Sequence, residues 1–238
     1  PTNEQADTLI GTLSSDLLIG TPTQALIDAR AGNDVVIASQ GSTVELGSGI
    51  DTLYNNGPEV TLSYQNSPYA VDANLAEGLG LVFDAGGSIY SFDRLMSAVQ
   101  NLTGSSGNDR LIGDEQDNII RTGGGQDTVS GGGGADHFVI DMDAQAGATR
   151  VQDFSLEQGD SVSLNLSSLG LDDEDPYFSY LISDQAGNTV HEGLVNQSGA
   201  EEGAILQLQL QDQSSVLSWT NGNQEQTAVV DLYTDLNE

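Results

Sequence analysis

Neither cysteine nor lysine occurs in this chain of 238 residues. Without cysteine there is no disulfide, no thiolate nucleophile and no cysteine-based zinc site. The five bases are all arginine (Arg30, Arg94, Arg110, Arg121, Arg150) and face 36 acids, for a formal net charge of −31. That balance opposes nucleic acid as a partner, because affinity for a phosphate backbone rests on basic side chains. It opposes anionic membrane surfaces for the same reason. No apolar run approaches the roughly 18–20 residues of a spanning helix, so no membrane span is expected. No signal peptide is visible and the chain starts at Pro1. It is therefore expected to be cut from the C-terminal part of something longer.

Catalytic motifs are also missing. His191-Glu192 begins like H-E-x-x-H, but position 195 is Val, so no zincin protease is encoded. There is no G-x-S-x-G elbow. Asp172-Asp173-Glu174-Asp175 lacks the glycine and spacing of an EF-hand loop and runs into Pro176, which reads as a solvated loop. Two nearby carboxylates could in principle hydrolyse a glycoside, but the acids have a better assignment. No enzyme activity is expected.

That assignment comes from four consecutive nine-residue units between Gly104 and Val139: GSSGNDRLI, GDEQDNIIR, TGGGQDTVS and GGGGADHFV. The sixth position is Asp109, Asn118, Asp127 and Asp136; the eighth is Leu111, Ile120, Val129 and Phe138. Such a period means stacked turns, each too small to bury a core alone. The x-U-x triplet reads as a very short strand with U inward. Two turns and two strands make one coil of eighteen residues. Asp109 and Asp127 then fall on one edge, Asn118 and Asp136 on the other. Rows of carboxylates and carbonyls on glycine-rich turns suit a hard cation, above all Ca²⁺. A uniformly acidic, salt-adapted surface is the plainer alternative, but it would not space its acids every nine residues.

A more worn block precedes it. Asp7, Asp16 and Asp34 keep the register, with Leu9, Leu18 and Val36 at the apolar position and Ala25 where an acid is due. The unit from Ala38 to Glu45 is one residue short, and GSGIDTLY restores the register with Asp51 and Leu53. A β-solenoid that no longer binds metal is the alternative for this block.

The nonapeptides resemble the repeats-in-toxin (RTX) family, with its consensus G-G-x-G-x-D-x-U-x. The resemblance implies an all-β fold, a right-handed parallel β-roll stacked on Ca²⁺, closed here by a C-terminal antiparallel β cap. In that family one loop gives carbonyls at positions 2 and 4 and its position-6 carboxylate. The loop eighteen residues on gives carbonyls at positions 1 and 3 and its own carboxylate. Carried over, one site is Ser105, Gly107, Asp109, Thr122, Gly124 and Asp127. A second is Asp114, Gln116, Asn118, Gly131, Gly133 and Asp136, weaker because Asn118 lacks a charge. A third is Thr12, Ser14, Asp16, Ala29, Ala31 and Asp34. Asp51 holds the ligand position of its unit, and Asp153 is a candidate to complete the last site.

Four regions are expected: a degenerate repeat block (1–57), a connecting segment with short strands and one short helix through FDRLMSAV capped by Ser91 (58–103), the second repeat block (104–140), and a β-rich cap that doubles as a type I secretion signal (141–238). The resemblance implies several bound calcium ions, the type I secretion machinery as partner, and a bacterial protein that is secreted or held at the cell surface. The first expectation is the end of a surface adhesin. The alternatives are the tail of a secreted protease, lipase or alginate epimerase, and a module that binds cell-surface glycans.

Overall fold

The computed structural model describes the backbone at residues 7–22, 24–141, 149–155, 157–165, 177–183, 189–196, 205–208, 215–221 and 224–232. It describes side chains at 8–22, 25–141, 149–155, 157–163 and 165. The Asp172–Asp175 cluster lies outside both sets.

Short strands alternate between two facing sheets. The first sheet stacks β1 (Asp7–Ile10), β3 (Gln24–Asp28), β6 (Thr43–Glu45), β8 (Thr61–Ser63), β12 (Asn101–Thr103), β14 (Ile119–Arg121), β16 (His137–Asp141) and β18 (Ser161–Asn165) in that order, all parallel. The second stacks β2 (Leu17–Ile19), β5 (Val35–Ala38), β7 (Ser48–Asn55), β11 (Ile89–Leu95), β10 (Leu79–Phe83), β9 (Val71–Asn74), β13 (Arg110–Ile112), β15 (Thr128–Ser130) and β17 (Thr149–Val151).

Register follows the apolar position. In the first sheet Ile27, Val44, Leu62, Leu102, Ile120, Phe138 and Val162 face one another strand by strand, each fully or almost fully buried. In the second, Leu111 opposes Val129, and Val129 opposes Val151. Burying each such side chain is worth about 1.5–3 kcal/mol, and no single coil could shield its own. Sliding a strand by one residue would turn its apolar residue out to solvent, so register is fixed. The one-residue deficit before Asp51 is absorbed across the turn at Gln40 and Gly41, because Ile27 still pairs with Val44, Val35 with Thr52 and Val36 with Leu53.

Residues 58–103 continue the stack and also distort it. Between β7 and β13 the second sheet holds three strands, β11, β10 and β9, where one would complete a coil. β10 runs antiparallel to both neighbours, and β11 re-enters the parallel stack beside β7. The helix expected through FDRLMSAV is not there: Ile89–Leu95 is a strand, and no helix occurs among the described residues. The pattern of burial has period two. Ser91 and Asp93 are buried, Phe92 is half-buried and Arg94 is exposed, while Met96, expected on an apolar stripe, is 56 % exposed. Pairing on both sides satisfies the backbone of this segment, which outweighs a weak local helical preference.

Beyond β18 the backbone pairings change character. β21 (Ile205–Leu208) runs antiparallel to β18, and β22 (Ser215–Asn221) antiparallel to both β19 (Tyr177–Ser183) and β23 (Gln224–Leu232).

Candidate metal centres

The loops joining the sheets form two edges. Those running from the first sheet to the second include 11–16, 29–34, 46–47 with the start of β7, 104–109 and 122–127; those returning include 113–118, 131–136 and, among the described residues, 152–155 and 157–160. Asp16, Asp34 and Asp51 of the worn block therefore lie on the same edge as Asp109 and Asp127, whereas Asp7 opens β1.

On each edge the position-6 residues are chained. The backbone N–H of Asp16 donates to Oδ1 of Asp34 at 2.7 Å, and that of Asp34 to Oδ1 of Asp51 at 2.7 Å. Asp109 donates likewise to Asp127 at 2.9 Å. On the return edge Asn118 donates to Asp136, and Asp136 to Asp160, both at 2.9 Å. One carboxylate oxygen in each upper coil is thus engaged. In Asp34, Asp51 and Asp136 the other, Oδ2, is buried without a hydrogen-bond partner, whereas Oδ2 of Asp127 accepts from Thr149 Oγ1 at 3.5 Å. A buried carboxylate oxygen with no donor costs free energy unless a cation faces it.

Glycine makes the room for one. A Cβ added to Gly104 would lie 2.4 Å from the Thr122 carbonyl oxygen and 2.5 Å from Oδ2 of Asp109. At Gly113 it would meet the Gly131 carbonyl at 2.2 Å and Oδ1 of Asn118 at 2.3 Å. At Gly11 it would meet the Ala29 carbonyl at 2.6 Å and Oδ2 of Asp16 at 3.2 Å. Three loop pairs therefore bring a position-1 carbonyl and the position-6 side-chain oxygen of the preceding loop to the same glycine. Further along, Gly123 and Gly125 adopt φ of 80° and 103°, which only glycine takes cheaply, and lie against the carbonyls of Ser105 and Gly107. Oxygens without protons converge, which suits a hard, oxygen-preferring cation such as Ca²⁺.

Burial shapes the acids. Desolvation raises Asp109 to about 6, Asp127 to about 7 and Asp136 to about 6, against backbone hydrogen bonds that pull the other way. Asp34 and Asp160 are also raised by desolvation. Asp51 rises to about 6 and Asp93 to about 7, first through burial and then through repulsion between near neighbours. Among the described residues no ion pair reaches these acids. Arg110 pairs with Asp72 at 2.9 Å and Arg121 with Asp141 at 2.6 Å, and both pairs use the outer faces of the strands.

Among the described residues no three His, Cys, Asp or Glu side chains converge on one point. Any ion on these edges must draw most of its ligands from backbone carbonyls.

Three further acids stand on these edges: Asp153, Asp160 and Asp93. Asp153 accepts from Ser130 Oγ at 2.5 Å and from the N–H groups of Gly131 and Gly132, both at 2.9 Å, holding the start of the last loop. The next ladder position belongs instead to Asp160, whose Oδ2 also accepts from the Ser155 N–H at 2.8 Å. The clue was visible as the acid just before the alternating SVSLN strand. Asp93 was missed altogether. Its clue is the F-D-R-L run, which repeats the x-D-x-U core of a nonapeptide without the glycines.

No curated protein matches the chain. Residues 103–138, however, match the RTX calcium-binding nonapeptide repeat in four copies, so this stretch of the roll is built from RTX repeats, which bind calcium ions.

Proposed function

We propose that this chain is a calcium-loaded β-roll module whose folding is coupled to ion binding on export. The observation that carries the reading is the convergence of a position-1 carbonyl and a position-6 oxygen on Gly11, Gly104 and Gly113. On that basis one ion is held by Ser105, Gly107, Asp109, Thr122, Gly124 and Asp127. A second is held by Asp114, Gln116, Asn118, Gly131, Gly133 and Asp136, and a third by Thr12, Ser14, Asp16, Ala29, Ala31 and Asp34. Asp51 and Asp160 extend the two rows, while Asp153 supports the last loop from its backbone side.

When bound, calcium supplies positive charge between carboxylates that otherwise repel. The chain's own residues do the rest: glycines let carbonyls approach, ladder N–H groups fix the acids, and apolar residues close the core only once adjacent coils touch. Where calcium is scarce the charge of −31 keeps the chain expanded. At about millimolar calcium, sites of roughly 10⁻⁴–10⁻³ M affinity fill, and each adds RT ln(1 + [L]/Kd) to stability. An RTX module of this kind belongs to a secreted or surface-held bacterial protein using a type I exporter. Residues 141–238 act as its cap and export element, without catalysis of their own. The parent is first a surface adhesin, then a secreted protease, lipase or alginate epimerase. The glycan-binding reading has one observation in its favour: a cavity of about 410 Å³ lined by Asp28, Arg30, Glu45, Asn66 and Tyr90 among others.

Thermal unfolding tests the central part. Ca²⁺ should raise the midpoint strongly over chelator. Mg²⁺, which demands a small octahedral shell and keeps its waters, should do so weakly. Equal midpoints in calcium and chelator would refute the reading.

A further inference from the structure

The row of acids on the first edge does not stop where the repeats stop. β11 joins β7 with Ile50 opposite Phe92, Asp51 opposite Asp93, Thr52 opposite Arg94 and Leu53 opposite Leu95. Position matches position, as in Arg110 opposite Thr128 and Leu111 opposite Val129 between true repeats. Asp93 therefore stands where the next coil would place its ladder acid, although β8, β9 and β10 separate it from Asp51 along the chain.

Asp51 and Asp93 are both 0 % exposed, and they stand directly opposite each other across the β7–β11 pairing. Asp51 Oδ1 is engaged by the Asp34 N–H, whereas its Oδ2 is buried and has no donor. Asp93 accepts from Tyr64 Oη at 2.7 Å and from Ser91 Oγ at 3.0 Å. Ser91 Oγ also lies 3.3 Å from the Gly49 carbonyl, so a single hydroxyl proton faces two acceptors. The cluster thus holds more oxygens than protons. Nor does a base come to it: Arg94 is exposed and sits over the Phe92 ring, 5.0 Å from its centroid. Tyr64 is held in place by an absence. A Cβ on Gly80 would lie 1.9 Å from its hydroxyl oxygen, so glycine there is what lets the ring reach Asp93.

We propose that Asp51 and Asp93 share a calcium ion, with the Gly49 carbonyl and the Ser91 hydroxyl beside it, in a site where β11 replaces the glycine-rich loop of a following repeat. The proposal rests on the reading that the repeat edges take calcium, and it adds one ion that the nonapeptide pattern does not contain. This ion would pin the three-stranded excursion to the roll and so join the two repeat blocks into one stack.

The test counts ions in the full chain by native mass spectrometry with calcium as the probe. Asp93→Asn is isosteric and should bind one ion fewer than the parent. Asp84→Asn, in the exposed turn before Ile89, should bind the same number. Terbium gives a second readout, because a tyrosine beside the ion sensitises its emission. Tyr64→Phe should keep the full calcium count but lower terbium emission excited through tyrosine by at least twofold. An Asp93→Asn chain that folds with an unchanged count would overturn the proposal and leave the two acids sharing a proton. Should that variant not fold, undiminished emission from Tyr64→Phe would overturn it equally. A parent that binds no calcium would instead overturn the reading of the repeats themselves.

Discussion

Asp109 and Asp127 are joined by a 2.9 Å hydrogen bond from the backbone of the first to Oδ1 of the second, eighteen residues on. One bond repeated coil after coil makes two rows of acids, and at Asp34, Asp51 and Asp136 the remaining oxygen has no donor. From this come opposite effects of charge in the two states of the protein. Asp127→Asn keeps the acceptor for Asp109 and removes a desolvated charge. It should therefore leave the calcium-free roll as stable as the parent or more so, yet weaken calcium binding by about tenfold or more, as expected on losing a charge-assisted contact of roughly 1.5–3 kcal/mol. The β-sheet signal left in chelator, compared with the parent's, and a calcium titration check the two signs separately.

Asn118→Asp should do the reverse. Asn118 Nδ2 donates to the Gln100 carbonyl at 2.9 Å, while its Oδ1 accepts from the Asp114 N–H at 2.8 Å. A carboxylate loses the donor and sets another oxygen against that carbonyl. Calcium affinity at this edge should rise, and stability in chelator should fall. A titration showing no gain in affinity would argue against an ion between 113–118 and 131–136.

Glycine substitutions separate backbone strain from ion space. Gly104 needs no positive φ, but its added Cβ would enter the gap between the Thr122 carbonyl and Asp109. Gly104→Ala should raise the calcium midpoint several-fold. Gly124→Ala, whose Cβ would find nothing nearer than 3.6 Å, should leave it unchanged. Calorimetric titration of both variants distinguishes an occupied cradle from a merely tight turn.

Acidity should substitute partly for calcium. Asp109, Asp127 and Asp136 have folded-state values of about 6 to 7 against an ordinary 3.8. A raised value means that the folded form binds protons more tightly than the unfolded one. The stabilisation is then complete below about pH 4 and is lost as pH climbs through 6 to 7. In chelator the roll should be more stable near pH 5 than near pH 8. Saturating calcium, which occupies the place of those protons, should flatten the slope. The β-sheet circular dichroism signal across pH, with and without calcium, checks it.

Much of this was legible in the residues. Leu111, Ile120, Val129 and Phe138 announced the period, and the structure stacks them on that period. Asp109 and Asp127 announced one edge, Asn118 and Asp136 the other. What the sequence hid was non-local. F-D-R-L carries no glycine, so its match to the repeat core was masked by a helical spacing of apolar residues; only pairing with β7 reveals Asp93 as a ladder acid. Asp153 and Asp160 are both acids near a strand start, and only the ladder bond from Asp136 separates their roles. The single-residue shortfall before Asp51 looked like decay, yet the turn at Gln40 and Gly41 absorbs it and the register survives.

The most direct measurement is far-ultraviolet circular dichroism of the full chain stripped of metal at neutral pH, followed as calcium is added. Ion-coupled folding requires a weak, largely disordered signal in chelator that turns into a β-sheet spectrum over a steep calcium range, with magnesium unable to reproduce it. A β-sheet spectrum already complete in chelator and unmoved by calcium would contradict the account.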